Sequence, residues 1–344
     1  MLVLRKLVVF FAVTLLSFLP AAARTITDAA GRSVEIPDKV ERVLAAGPPA
    51  SVLVYVLAPE KLAGWVREPK AEEKAFLLPS VRDLPTFGQL TGKGGTANIE
   101  AVLAAKPDII IDVGTVNPTY ASLADKVQAQ TGIPYVLIDG AFAKSGAMLR
   151  ETGAILGVEA RAETLAAYAD ETLAALEKGL AGIPEDKRPS VYYGRGAEGL
   201  ETGLAGSINM ELLEAAGARN VAAAAGKGGL TQVSLEQILS WKPDIILAAS
   251  PKFVKAVKTD PLWAGLDAVK AGRIHATPGL PFGWIDSPPG INRLIGVSWL
   301  EHTLYPEVFP APLDEKVRTF FKLFYQVDLS DAQLATLLGK GAAK

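Results

Sequence analysis

Arg195 carries the most pointed chemistry in the chain. It is predicted in a loop directly after an apolar strand, where its guanidinium can fork onto carboxylate or oxyanion oxygens. The same group can instead close a structural ion pair with Glu198 or Glu201. Other aromatic and polar side chains fall in comparable loops: Trp65, Arg67 and Tyr120 in the first half, Tyr193, Glu198, Phe282 and Trp284 in the second. Loops after strands are where open α/β sheets take ligands, so these residues form the candidate ligand-binding set. Packing of a lid is the alternative role for each aromatic.

Gly194, Gly196 and Gly199 give a G-x-G-x-x-G pattern after the same strand. A dinucleotide fingerprint would open at once into a helix and carry an acid about 20 residues on, at a strand end. Here residues 200–207 intervene and the next strand ends in Val221-Ala222-Ala223, so no dinucleotide is expected. His275 and His302 are the only histidines, neither has a second ligand at metal spacing, and cysteine is absent. There is no G-x-S-x-G elbow and no implied Ser/His/Asp set. The expectation is a binder and not an enzyme, with no catalytic residue, no protein-ligated metal and no cofactor.

A passage that occurs twice announces the elements that must position these loops. NIEAVLAAKPDIII occupies 98–111 and SLEQILSWKPDIIL occupies 234–247, identical at seven of fourteen positions and 136 residues apart. Each copy reads as helix, stop, buried strand. Asn98 and Ser234 are N-caps, the second in a capping box with Gln237. Ile99, Val102 and Leu103 share a helical face, as do Leu235, Ile238 and Leu239. Pro107 and Pro243 end the helices, because proline lacks the N–H of the ladder and drives its predecessor out of the helical region. The isoleucine runs that follow suit strands buried on both faces, as parallel sheets require.

Strand and helix alternate elsewhere too. Strands are expected at 42–46, 62–66, 135–139, 190–193, 220–222 and 273–277. Helices are expected at 50–57, 121–131, 209–216, 291–304, 314–324 and 331–338, with a proline-bearing loop over 67–95. The longest helical pattern, 160–180, carries a stripe of Leu165, Tyr168, Leu173, Leu176 and Leu180 and stops at Ile183-Pro184. The expected fold is α/β, with two Rossmann-like lobes of parallel sheet joined by a single long helix. The divisions are a lobe over 24–159, the linking helix over 160–183, and a lobe with C-terminal helices over 184–344.

Residues 1–23 have the form of a cleaved secretory signal peptide. Arg5 and Lys6 precede an apolar core over 7–19, and Ala21-Ala22-Ala23 supplies the small residues for cleavage. The apolar stretch is shorter than the roughly 20 residues that span a bilayer, and there is no cysteine to carry a lipid. A soluble, unlipidated periplasmic protein is expected. Removing Arg5 and Lys6 takes the net charge from −2 to −4, and no basic stripe marks a nucleic-acid partner.

With this signal peptide, a KPD passage in each half and the long connecting helix, the chain resembles the periplasmic binding proteins of ABC importers for iron–siderophore, haem, cobalamin and related metal chelates. RVLAAGPPA at 42–50, GIPYVLID at 132–139 and SPPGINRLIG at 287–296 add to the resemblance, which covers essentially the whole mature chain. GRGAEGLETGLAGSIN and FYQVDLSDAQL are closest to the iron-complex and oxyanion branch. The resemblance implies a monomer that holds its ligand between rigidly joined lobes. It also implies a role for Glu100 and Glu236, at matched places in the two passages: one surface carboxylate per lobe docks on arginines of a dimeric permease. The ligand so implied is a metal chelate, foremost a ferric siderophore, with molybdate or tungstate and haem or corrinoid as alternatives. A secreted enzyme on the same scaffold is the reading from another class.

Overall fold

The computed structural model describes residues 23–92 and 95–340. The expected signal peptide lies outside the described residues, apart from Ala23, which opens the first strand. β1 (Ala23–Thr27) and β2 (Ser33–Pro37) form an antiparallel hairpin. β3 (Val43–Ala45), β4 (Ile109–Gly114) and β5 (Tyr135–Asp139) form a parallel sheet with β4 in the middle. Beyond the helix Glu159–Leu180 come β6 (Ser190–Gly194), β7 (Glu201–Gly203), β8 (Arg219–Asn220), β9 (Leu230–Gln232), β10 (Ile245–Ala248) and β11 (Ile274–Ala276). The second parallel sheet has the order β11-β10-β6-β8, and β7 pairs antiparallel with β9. The fold is thus α/β, two lobes of parallel sheet with one long helix between them in the chain.

The doubled passage builds the centre of both sheets in the same way. Asn98 caps the helix Ile99–Ala105 and Ser234 caps Leu235–Trp241. Both helices stop on a left-handed lysine, Lys106 and Lys242, each at φ 46. That conformation costs an L-residue roughly 1–2 kcal/mol, and the proline that follows each lysine is what disfavours the ordinary helical region there. The next aspartate then staples the incoming strand to its neighbour. Asp108 accepts the N–H groups of Glu41 and Arg42 ahead of β3, at 2.7 and 2.8 Å, and Asp244 accepts that of Ser190 at the start of β6, at 2.7 Å.

Several expectations are corrected in detail. Residues 62–66 form no strand: Leu62 and Trp65 make single bridges to Val43 and Thr86, too few to extend the sheet. The loop over 67–95 contains the short helix Ala71–Lys74 and a tight turn at Pro79–Val81. The strand expected at 220–222 stops at Asn220, whose side chain accepts the Ala222 N–H and starts a 3-10 turn instead. The C-terminal helix Leu313–Phe320 passes into a π turn, Phe321–Tyr325. Among the described residues, no helix is long and apolar enough to cross a membrane.

One apolar core runs through both lobes, from Val43 and Ile109 past Leu165 and Ala169 of the long helix to Val191 and Leu213. The C-terminal segment bridges back to the first lobe. Phe321 lies edge-on to Phe76, and the Tyr55 hydroxyl donates to the Tyr325 carbonyl at 3.0 Å. Tyr325 in turn donates to Asn292 Oδ1 at 2.9 Å. Arg161 of the long helix donates to carbonyls of Val56, Leu323 and Phe324, tying the same three parts together.

A second tie crosses at the cleft. Arg293, 1% exposed at the start of the helix Arg293–Leu304, pairs with Glu211 at 2.7 Å and donates to the carbonyl of Gly140, just past β5. The other oxygen of Glu211 accepts the Phe142 N–H at 3.0 Å. Two residues of the second lobe therefore hold the backbone of the first.

The long helix lies against the helix Ser145–Leu156 at Gly153, where a Cβ would stand 2.2 Å from the Ala162 Cβ. Alanine favours a helix by about 1 kcal/mol over glycine, but an overlap of two fixed methyl groups forces the helices apart at a cost of about 1–3 kcal/mol. Gly153→Ala is expected to lower stability by up to about 2 kcal/mol net, read as an earlier urea midpoint with an unchanged slope. A midpoint later than wild type would contradict this packing.

Candidate functional site

The carboxyl ends of both parallel sheets face a shared cleft. A cavity of about 370 Å³ takes its walls from the ends of β4 and β5 (Asp112 to Gly114, Ile138), from the loop Gln89, Thr91 and Gly92, and from Tyr120. The second lobe contributes Arg195, just past β6, with Ile208, Asn209 and Asp286 to Pro289. The helices Pro48–Leu57 and Pro118–Thr131 begin beside it, with Pro48, Pro49 and Val116 in its lining; prolines occupy their first positions and Asn117 accepts the Thr119 and Tyr120 N–H groups. Helix N-termini carry about half a positive charge, a standing attraction for anions. Three further chambers adjoin. One of about 250 Å³ is walled by Pro48, Ser51, Trp65, Val66, Arg67 and Phe282, with Ser287 and Pro288 shared. Another, about 350 Å³, runs from Arg67 and Glu73 to Tyr193 and Thr277. The last, about 380 Å³, lies over Asp139, Ser207, Glu211 and Glu214.

Arg195 is held from both sides. Its guanidinium pairs with Glu201 and, through Nε, lies 2.6 Å from Oδ2 of Asp286. The second contact is a close ion pair without a hydrogen-bond angle, and neither buried atom has another hydrogen-bond partner. Asp286, 3% exposed, also accepts Asn209 Nδ2 at 2.6 Å and the Ser287 N–H at 2.7 Å. Both readings of Arg195 thus coexist: it lines the cavity, and it closes the ion pair with Glu201 that the sequence left open. Among the described residues it is the only lysine or arginine in the lining of this cavity.

Asp112 makes the other polar point on the wall. Its Oδ1 accepts the Thr91 hydroxyl at 3.2 Å and its Oδ2 the Tyr135 hydroxyl at 3.0 Å. Burial pushes its carboxyl above the usual range, while the two hydroxyls and the Val113 N–H pull part of the way back. Next door, the Ser51 hydroxyl oxygen is buried with no hydrogen-bond partner in the wall of the aromatic chamber.

The expected ligand residues divide. Tyr120 and Arg195 meet in the main cavity, though Tyr120 stands on the helix Pro118–Thr131 and not in a loop. Trp65, Arg67 and Phe282 share the aromatic chamber, with Trp65 and Phe282 ring centroids 5.7 Å apart. Arg67 forks onto Glu73 at 2.7 and 2.8 Å. Tyr193 is buried on β6 and lines the chamber beside Thr277. Trp284 is fully buried, its indole N–H donating to Leu280 O, and it lines none of these chambers. Glu198 is exposed and lines none either. The glycine pattern turns into β7 and not a helix, with Gly194 and Gly199 packed against Phe253.

Sequence reasoning missed Asp112, Asn209 and Asp286. A signal existed for the first: an acid inside the buried run Ile109 to Val113 needs a polar reason to be there. Glu100 and Glu236 are exposed, each at the second position of its matched helix.

Comparison with known proteins places this cleft in company. The periplasmic binding protein family profile matches residues 58–279. The chain is 29% identical to the molybdate-binding protein MolA of Haemophilus influenzae, over 94% of this chain and 97% of the relative. The solved structure of MolA bound to molybdate superposes with a TM-score of 0.74 at 25% identity, covering 89% of this chain and 99% of that one. An ABC transporter solute binding protein from Sulfurospirillum deleyianum superposes with a TM-score of 0.84 at 32% identity, covering 92% and 99%.

Removing one partner of a buried ion pair leaves the other desolvated, commonly at a cost of about 3–5 kcal/mol. Arg195 keeps Glu201, so the loss for Asp286→Ala is expected at the lower end, about 3 kcal/mol. Guanidinium denaturation of the purified variant reads it directly, and a change below about 0.5 kcal/mol would mean the pair is not holding the loop.

Proposed function

As the chain belongs to the periplasmic binding protein family, we propose that it captures a molybdate-type oxyanion in the main cavity and hands it to the permease of an ABC importer from the periplasm. The observation that carries this reading is the placement of Arg195. It is a guanidinium fixed by two carboxylates, lining a cavity beside which two helices begin. Pre-organisation of that kind lowers the ordering cost of gripping a tetrahedral anion. The identity shared with a molybdate-binding protein over nearly the whole chain supports the same class.

Cavity size gives the second reading its place. Small-molecule sites run from about 300 to 1,000 Å³, and the main cavity, about 370 Å³, is at the low end. A bare oxyanion would share it with water. A ferric siderophore or other metal chelate would need the adjoining chamber, whose Trp65 and Phe282 rings and unpartnered Ser51 hydroxyl suit an organic ligand. Calorimetric titration with molybdate, tungstate, sulfate and a ferric hydroxamate separates the two. Arg195→Lys keeps the charge and loses the fork, so it is expected to weaken molybdate binding by about tenfold or more. Trp65→Ala is expected to weaken only the chelate. If molybdate and tungstate both fail to bind the wild type, the oxyanion reading falls.

Glu100 and Glu236 supply the other half of the function. A helix dipole explains an acid at either place. Matched exposed acids, one on each lobe, also fit a twofold-symmetric partner, since each lobe can meet one subunit alike. The double variant Glu100→Ala/Glu236→Ala is expected to keep its ligand affinity within about twofold and to lower uptake in cells by at least about tenfold. Undiminished uptake would remove the docking role.

A further inference from the structure

The oxyanion reading leaves an electrostatic problem, and its solution lies on the cavity wall. Two carboxylates line the main cavity, Asp112 and Asp286. Asp286 pairs with Arg195, which it shares with Glu201. Asp112 has no such cation among the described residues. The groups facing it are the Thr91 hydroxyl from the loop, the Tyr135 hydroxyl from β5, and the N-terminal end of the helix Pro48–Leu57, where a Cβ on Gly47 would stand 3.9 Å from Oδ1. Tyr120, from the helix Pro118–Thr131, shares its cavity. Arg195, Asp286 and Ser287 line the second-lobe side, with Glu201 on Arg195. A dianion has only acceptor oxygens, so in a part-buried cavity it is repelled by a charged carboxylate that no cation among the described residues offsets, unless a proton lies between them.

We propose that Asp112 takes up one proton as the oxyanion enters, turning a repelling carboxylate into a neutral carboxyl group on the wall of the occupied site. No covalent bond changes: carboxylate, solvent proton and dianion combine into a carboxylic acid beside the bound dianion. The burial that already raises the Asp112 carboxyl makes the uptake easier, and a nearby dianion raises it further. The sign follows from linkage. Where the free site is charged and the occupied site neutral, each binding event consumes a proton, so affinity falls as pH rises. Below the free-site value the carboxyl is already neutral and the dependence vanishes. Asp112 in this way tunes both what the site accepts and when.

The inference rests on the oxyanion reading and is separable from it. Sodium molybdate is titrated calorimetrically into the whole protein from pH 6 to 8.5, in buffers of different ionisation enthalpy. The expected result is about one proton taken up per molybdate, with the dissociation constant rising by up to about tenfold per pH unit. Asp112→Asn presents a neutral amide permanently. It is expected to bind with no such uptake, less than about twofold change per pH unit, and tighter than wild type at pH 8.5. Zero uptake by the wild type, or equal uptake by the variant, overturns the inference while leaving the oxyanion reading standing. Absence of molybdate binding by both proteins at every pH overturns both.

Discussion

A guanidinium buried where the two lobes meet sets the width of the cleft. Arg293 is charged and almost wholly removed from water, a state that costs several kcal/mol unless its donors are met. They are met by the Glu211 carboxylate and by the Gly140 and Gly290 carbonyls, with the Phe142 ring beneath at 5.6 Å. Burial lowers its proton affinity and Glu211 restores part of it. Because these partners come from both lobes, separating the lobes would strand a charge in apolar surroundings. The apolar core that continues through the long helix and the C-terminal aromatics adds its own resistance. A cleft braced in this way can hold Arg195 and Asp112 at a fixed separation, which is what selective capture of a small ion asks of a scaffold.

The frame of this molecule was legible where one physical cause dominates. The doubled passage was read correctly as helix, stop and buried strand because caps, proline and isoleucine runs all point one way. β5 was placed to the residue, and the long helix began one residue early. The hairpin β1–β2 and the antiparallel pair β7–β9 escaped notice because short polar strands at a surface carry little periodicity. Residues 62–66 look like a strand from apolarity alone, yet their apolar side chains serve burial and their backbone makes only bridges.

The site was legible in part, for a different reason. The structure does bring Tyr120, Arg195, Trp65 and Phe282 into one cleft region, although Trp65 follows no strand and Tyr120 stands on a helix. Proximity to strand ends could not say that Trp284 turns inward against Phe321, since an aromatic after a strand faces core or cleft according to packing against elements elsewhere in the chain. Nor could it pair Arg195 with Asp286, which lies in another loop. Long-range charge pairing leaves no local pattern: one carboxylate pairs with a guanidinium, while the other, among the described residues, meets neutral donors, the Thr91 and Tyr135 hydroxyls and the Val113 N–H.

The contact between Tyr55 and Tyr325 joins residues 270 positions apart. Its consequence concerns time as well as shape. A chain made from its N-terminus has the helix Pro48–Leu57, with its buried face, long before the segment that covers it exists. Contacts of such sequence separation form late and slowly, because the loop they close must be ordered first. The ligand cleft, whose wall that helix begins, is therefore among the last features to be finished. Until the last aromatic turn is in place the molecule has its lobes but not its grip.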